Sequence, residues 1–276
     1  MTRGAEVRQA VLAHRAAGRQ VGLVPTMGAL HAGHLSLVQA ARRDGDVVVA
    51  TVFVNPTQFA PGEDLARYPR DLESDCGLLA GAGCDLVFAP SIDEMYPQGS
   101  EIFVEVGAAA TPWEGAARPT HFRGVATVVL KLFNLAPADV AYFGQKDYQQ
   151  TVVIRRMVAD LNVPIEIQVC PIVREPDGLA MSSRNVFLAS DQRPAAVSLS
   201  ASLDLAAELH AGGERSVAVV TRAMRALMTD AGAEVQYVAA LRPGTVDEVF
   251  ELDAPAIFAV AAKVGQTRLI DNALIG

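Results

Sequence analysis

Apolar residues fall in two rhythms along this chain. Short β-branched runs recur, and between them apolar positions return every three to four residues. The first 20 residues read as a short amphipathic helix. Residues 20–25 read as a strand and 33–44 as the helix after it. Residues 46–55, DVVVATVFVN, form a buried strand, 65–81 have helical spacing, and 84–90, CDLVFAP, form another strand. Residues 122–135 are helical, 140–143 a short strand, 147–161 a helix and 165–173 a strand. Fully apolar strands alternating with helices predict an α/β fold, a parallel sheet with helices on both faces.

The texture changes at REPDGLAMSSRNVFL, residues 174–188, where Pro176 and Gly178 signal a loop. Two alanine-rich helical patterns follow, 190–211 and 215–231, then strand-like 234–240 and 257–263. The expected organisation is a first domain over residues 1–174 and a smaller α+β domain over 175–276. The length of 276 residues suits two modest domains.

Charge narrows the partners. Acidic residues outnumber basic ones, 31 to 23, and no run of Lys and Arg appears, so nucleic acid is disfavoured. Cys76, Cys84 and Cys170 lack the spacing of a zinc site or a disulfide framework. No secretory h-region and no membrane-length apolar stretch is visible, so a cytoplasmic location is expected.

The densest chemistry lies in VGLVPTMGALHAGHLSLVQAARR, residues 21–43. Ligands of an open parallel sheet bind beyond the carboxyl ends of its strands. A helix N-terminus there offers unpaired N–H groups and partial positive charge to a phosphate. Gly28 and Gly33 admit a ligand close to the backbone. His31 and His34 project to the same side of the first helical turn, and each can donate to a phosphoryl oxygen. The spacing matches neither the P-loop nor G-x-G-x-x-G, so histidines and the helix dipole stand in for a Walker lysine. Two plainer roles compete. One is half of a zinc site, which no ligand pattern among His14, His121 and His210 supports. The other is simple helix capping.

Further segments add donors. VNPTQF, residues 54–59, ends a strand, and its Gln58 can donate and accept together, as a substrate with hydroxyls and a carboxylate requires. Asn55 and Pro56 could equally build a polar turn there. In FGQKDYQQ, residues 143–150, Gly144 follows a strand and Asp147 occupies a helix-cap position. Lys146 is placed for a phosphate oxygen, and Gln150 lies about one turn into the helix. Ser182, Ser183 and Arg184 form a donor-rich loop that can wrap a triphosphate and close as a lid, or simply link domains. Arg118 and Arg123 could meet an anion or pair with surface carboxylates. Asp71, Glu73 and Asp75 could help hold Mg²⁺, but read better as a solvated helix face.

In order, PTMGALHAGH, VNPTQF, FRGVATVVLKL, GQKDYQQ and MSSRN resemble the pantoate–β-alanine ligase (pantothenate synthetase) family. The likeness covers nearly all of residues 21–188 and thins in the last third. HAGH resembles the HIGH signature, and MSSRN the KMSKS-like loop, of Rossmann-like adenylyl-transferring enzymes, an analogy at the level of fold. The resemblance implies a Rossmann-like sheet and a two-step ligation. Pantoate and Mg-ATP give pantoyl adenylate and pyrophosphate; the amine of β-alanine then gives pantothenate and AMP.

Carried over by motif position, the ATP contacts are Met27, Gly28, Ala29, Leu30, His31, Ala32, Gly33 and His34, then Gly144, Gln145, Lys146, Asp147, Val173, Met181, Ser182, Ser183 and Arg184. Gln58 and Gln150 hold pantoate, with Gln58 also near β-alanine. His34 is the implied proton donor, and His31, Lys146 and Arg184 join it as catalytic donors. Mg²⁺ accompanies ATP, and a homodimer is implied. Rival readings are another adenylyl transferase of this fold, an aminoacyl-tRNA synthetase fragment and a non-enzymatic nucleotide module. Two neutral glutamines, the acidic charge, and donors spread over several strand ends weigh against them in turn.

Overall fold

The computed structural model describes residues 1–276. In chain order the elements are α1 (Gly4–Ala16), β1 (Val21–Thr26), α2 (Ala32–Asp44), β2 (Val47–Val52), α3 (Leu72–Gly81), β3 (Leu86–Phe88), α4 (Ile92–Met95), α5 (Glu114–Ala117), α6 (His121–Leu135), β4 (Val140–Gly144), α7 (Tyr148–Asp160), β5 (Glu166–Cys170), α8 (Arg193–Ala211), α9 (Val217–Asp230), β6 (Glu234–Leu241), β7 (Ala256–Val264) and β8 (Thr267–Ile275). The chain divides into two compact units. One is Met1–Gly144 with Val153–Cys170; the other is Gln145–Val152 with Pro171–Gly276.

In the first unit the strands run parallel in the order β3-β2-β1-β4-β5. Both faces are apolar because helices cover both. Val21, Leu23, Val47, Val49 and Phe143 pack with Val7 and Val11 of α1, Phe122 and Val129 of α6, and Ile154 of α7. The alternate residues Val24, Val48, Ala50 and Tyr142 meet Leu37, Val38 and Ala41 of α2 and Leu79 of α3. The strand period of two thus splits each strand between two cores. The chain moves outward from β1 to β3, then returns to the other side of β1 as β4. The topological switch point therefore lies between the carboxyl ends of β1 and β4, where sheets of this kind open a ligand crevice.

The second unit carries an antiparallel sheet, β6-β7-β8. Leu199 and Leu203 of α8 and Met224 and Met228 of α9 share a core with Phe258 and Val260 of β7. The expected α/β class and the smaller second sheet are both present.

Boundaries differ where local pattern competes with caps and distant partners. The helix expected from residue 65 begins at Leu72. Pro69 disfavours helix for the residue before it, and the Asp71 side chain caps α3 by accepting from Ser74 N at 3.0 Å. The strand expected to reach residue 55 stops at Val52, because Asn55 instead caps a 3-10 turn over Pro56–Gln58. β8 was not expected: Asp271 and Asn272 interrupt its apolar pattern. The units part at Cys170, four residues before the expected boundary, and Gln145–Val152 belongs with the second unit. Tyr148 explains this: its hydroxyl lies 2.9 Å from Thr245 O and accepts from Gly244 N at 2.9 Å, nearly a hundred residues away. No helix is long and apolar enough to cross a membrane.

Candidate active site

The turn from β1 into α2 sits at the switch point. Gly28 has φ 81° and Ala29 φ 51°, so the chain bends twice through the left-handed region. Two side chains hold the bend. Thr26 Oγ1 accepts from Gly28 N at 3.2 Å. The Asp75 carboxylate accepts from Ala29 N at 3.1 Å and Leu30 N at 2.9 Å. A Cβ on Gly28 would stand 2.7 Å from Asp75 Oδ2. Gly28 thus serves the turn itself, beyond the close ligand approach expected of it. Asp75 is buried and contributes no solvated face.

His31 and His34 meet with ring centroids 4.1 Å apart. His31 caps α2: its Nδ1 accepts from Gly33 N at 3.2 Å. His34 Nδ1 faces His31 N at 3.4 Å, completing a capping box. Capping and ligand binding are therefore compatible. Each Nδ1 is turned to the backbone, so the Nε2 edge of each ring is the one that can donate to a ligand at the N-terminus of α2.

Gln58 is fixed from two sides. Asn55 Nδ2 donates to Gly124 O and to Gln58 Oε1, both at 3.1 Å. A carbonyl can only accept, so Gly124 O sets which end of the Asn55 amide is NH₂. That in turn makes Gln58 Oε1 an acceptor and leaves its NH₂ as the presented group. The Gln58 Nε2 group lies 3.2 Å from Met27 Sδ. Tyr96 Oη and Thr57 Oγ1 both donate to Asn55 Oδ1 at 2.9 Å.

The main chain of Gln58 is clamped as well. His121 Nδ1 lies 2.9 Å from Gln58 O, and Arg118 Nη1 lies 3.1 Å from His121 Nε2. Arginine only donates, so His121 Nε2 accepts and Nδ1 donates to Gln58 O; the ring is neutral. Burial, reinforced by the Arg118 charge, holds the His121 pKa down at about 4. Arg118 in turn grips Glu63 with two bonds of 2.7 Å. Burial opposes ionisation of Glu63, but the bonds and charge of Arg118 outweigh it and leave its pKa below the ordinary value. Arg118 and Arg123 therefore take the carboxylate-pairing role, Arg123 with Glu105 at 2.5 Å.

In the second unit, Gln145–Asp147 form a 3-10 turn directly before α7, and Gln150 lies in the first turn of that helix. Lys146 Nζ is 3.7 Å from Asp147 Oδ2, a loose pair. Asn272 Nδ2 donates to Gln145 O at 2.9 Å and Lys146 O at 3.0 Å. Val173 O accepts from Met181 N at 2.9 Å, which brings these two expected ATP contacts together. Ser182 caps the 3-10 segment Ser183–Phe187 by accepting from Arg184 N at 3.2 Å.

A model of the pantoate-β-alanine ligase family matches residues 1–274. The pantothenate synthetase of Moorella thermoacetica is 54% identical over 272 residues, 98% of this chain and 96% of that protein. Pantothenate synthetase 1 of Bradyrhizobium diazoefficiens is 52% identical over 276 residues, 100% of this chain and 97% of that one. The chain belongs to the pantoate–β-alanine ligase family. Its fold matches a crystal structure of pantothenate synthetase from Thermus thermophilus, with TM-score 0.94 and 48% identity over 99% of this chain and 98% of that one. It also matches pantoate-β-alanine ligase from Francisella tularensis, solved with β-γ ATP and β-alanine. There the TM-score is 0.82 and the identity 34%, over 99% and 96% of the chains. Pantoate–β-alanine ligases form a carbon–nitrogen bond and take a nucleotide as substrate.

Several residues that brace these candidate groups escape a reading of the sequence. Asp75 looks like one carboxylate of a charged helix, yet it holds the histidine turn. His121 lacks a zinc-ligand pattern and looks inert. Gly124 sits in the first turn of α6, where glycine is less favourable than a residue with a side chain; that cost was the available signal. A Cβ there would lie 2.5 Å from Thr57 O and 2.6 Å from Gln58 Cα, so α6 can seat the Gln58 turn only without a side chain.

Proposed function

We propose that this ligase joins pantoate to β-alanine in two steps, with the β1–α2 turn holding the phosphates of ATP and Gln58 holding pantoate. The observation that carries the reading is the placing of His31 and His34 together at the N-terminus of α2, each Nδ1 turned to the main chain, at the switch point of the sheet. Pantoate's carboxylate attacks the α-phosphorus, pyrophosphate leaves, and negative charge grows on the phosphoryl oxygens. Fixed donors aimed at that charge lower the barrier, each by about 3–4 kcal/mol in a preorganised site. In this reading His34 acts by hydrogen bonding from Nε2, and the Gln58 NH₂ group orients pantoate. The amine of β-alanine then attacks the acyl carbon, loses a proton and releases AMP.

Lys146, Ser182, Ser183 and Arg184 supply further donors to ATP, with Met27, Gly28, Ala29, Leu30, Ala32, Gly33, Gly144, Gln145, Asp147, Val173 and Met181 in contact with it. Gln150 is the second pantoate ligand. Their order in the family motifs and their chemistry support this assignment. Mg²⁺ enters as Mg-ATP. No three His, Cys, Asp or Glu side chains cluster to cage a metal, which suits an ion carried by substrate phosphates. When bound it neutralises phosphate charge. The functional species in this reading is a cytoplasmic homodimer. Family resemblance supports it; light scattering reads the mass.

The test follows AMP release with ATP, pantoate and β-alanine, omitting each in turn, for the native chain and His34→Ala. Release should require all three, and His34→Ala should cut adenylate formation by about 100-fold or more while melting like the native chain. Pantoate-independent release, or near-normal turnover of His34→Ala, overturns the reading.

A further inference from the structure

β8 breaks its own pattern at its centre. Asp271 and Asn272 follow Leu269 and Ile270 in a strand whose register places them opposite Val260 and Ala259 of β7. Adjacent strand residues point to opposite faces, yet both are about 2% exposed. Burying two polar side chains in a short sheet is costly unless every polar atom is satisfied. Burial does push the Asp271 carboxyl above its ordinary pKa, although Arg174 opposes it.

Their partners account for that cost. Asn272 uses its whole amide: Nδ2 donates to Gln145 O and Lys146 O, and Oδ1 accepts from Gln145 Nε2 at 3.2 Å. Asp271 takes a two-pronged grip from Arg174, at 2.6 and 3.1 Å, and accepts from Asn272 N at 2.8 Å. Arg174 also donates to Gly178 O at 3.0 Å, closing the turn whose base pairs Val173 with Met181. One dipeptide thus anchors two segments far apart in sequence. One carries Lys146; the other leads into Met181, Ser182, Ser183 and Arg184.

We propose that Asn272 and Asp271 are positioning residues for ATP: Asn272 sets the main chain from which Lys146 reaches the nucleotide, and Asp271 sets the base of the serine–arginine segment. The proposal rests on the reading that Lys146 contacts ATP. Lys146 pairs only loosely with Asp147 and its charge also reaches the Asp271 carboxylate, so both members of the dipeptide bear on it, Asn272 through its main chain and Asp271 through its charge.

The experiment compares native enzyme, Asn272→Ala, Lys146→Ala and the double variant, measuring KM for each substrate and kcat. Asn272→Ala should raise KM for ATP at least fivefold while KM for β-alanine stays within twofold. Because Asn272 acts through Lys146, the double variant should be no worse than Lys146→Ala alone. Should Asn272→Ala not fold, Asn272→Ser, which keeps one donor, carries the same comparison. An unchanged KM for ATP, a uniform fall in kcat alone, or additive losses in the double variant would overturn the proposal. If Lys146→Ala itself leaves ATP kinetics unchanged, the fault lies in the reading of Lys146, and the positioning role falls with it.

Discussion

His121 offers a test of the clamp on Gln58 that needs no substrate. The folded protein holds its pKa at about 4, against an ordinary value of 6.5. Between those values the unfolded chain binds a proton that the folded chain refuses. Stability supported by His121 is therefore complete above pH 6.5 and is lost as pH falls through 4. A gap of about 2.5 pH units at ~1.4 kcal/mol each amounts to about 3–4 kcal/mol. That is a large share of the ~5–15 kcal/mol typical of a folded domain. In His121→Asn the amide nitrogen can still donate to Gln58 O, but nothing titrates. The variant should lose about 1–2 kcal/mol near pH 7, where Arg118 loses an acceptor, and close that gap as pH falls. Glu63, whose pKa is lowered, releases its own share only below the ordinary carboxylate range, so the window from pH 6.5 to 5 reports chiefly His121. Urea unfolding at a series of pH values, read by circular dichroism, gives both curves. Parallel curves for native and variant, or an NMR titration of the His121 ring near 6.5, would refute a neutral, buried donor.

Three more outcomes follow from the same geometry. Gln58→Ala should raise KM for pantoate well beyond any change for ATP, and equal losses in titrations of the two substrates would count against its orientation by Asn55. Asp75→Ala strands two N–H groups of a strained turn and should destabilise the fold by about 2–5 kcal/mol; a melting temperature within a degree of native would show that the turn holds itself. Gly124→Ala presses a methyl into the Gln58 backbone, so activity should fall further than the ~1–3 kcal/mol stability loss of an overpacked site; normal kinetics would mean that α6 can step back without moving Gln58.

The alternation of apolar runs with helical spacing along residues 20–173 determined the parallel sheet and its two covered faces, because burial on both sides of a strand demands an unbroken apolar run. The same local logic exposed the histidine turn, the glutamine in the turn after β2 and the lysine after β4: glycines, polar residues and strand ends lie close together in the chain. Their order also carried the family.

Tertiary structure decided what depends on partners distant in sequence. Asp75 became the brace of the histidine turn because α3 carries it to Ala29 and Leu30. Gln58 became a donor-presenting group because Gly124 O, from α6, sets the Asn55 amide. Gln145–Val152 joined the second unit because Thr245 and Asn272 hold it there. Hydrophobic periodicity reports which face of an element is buried. Which buried polar atom finds which partner is settled only when the chain closes on itself, since each such bond joins residues that no local pattern relates.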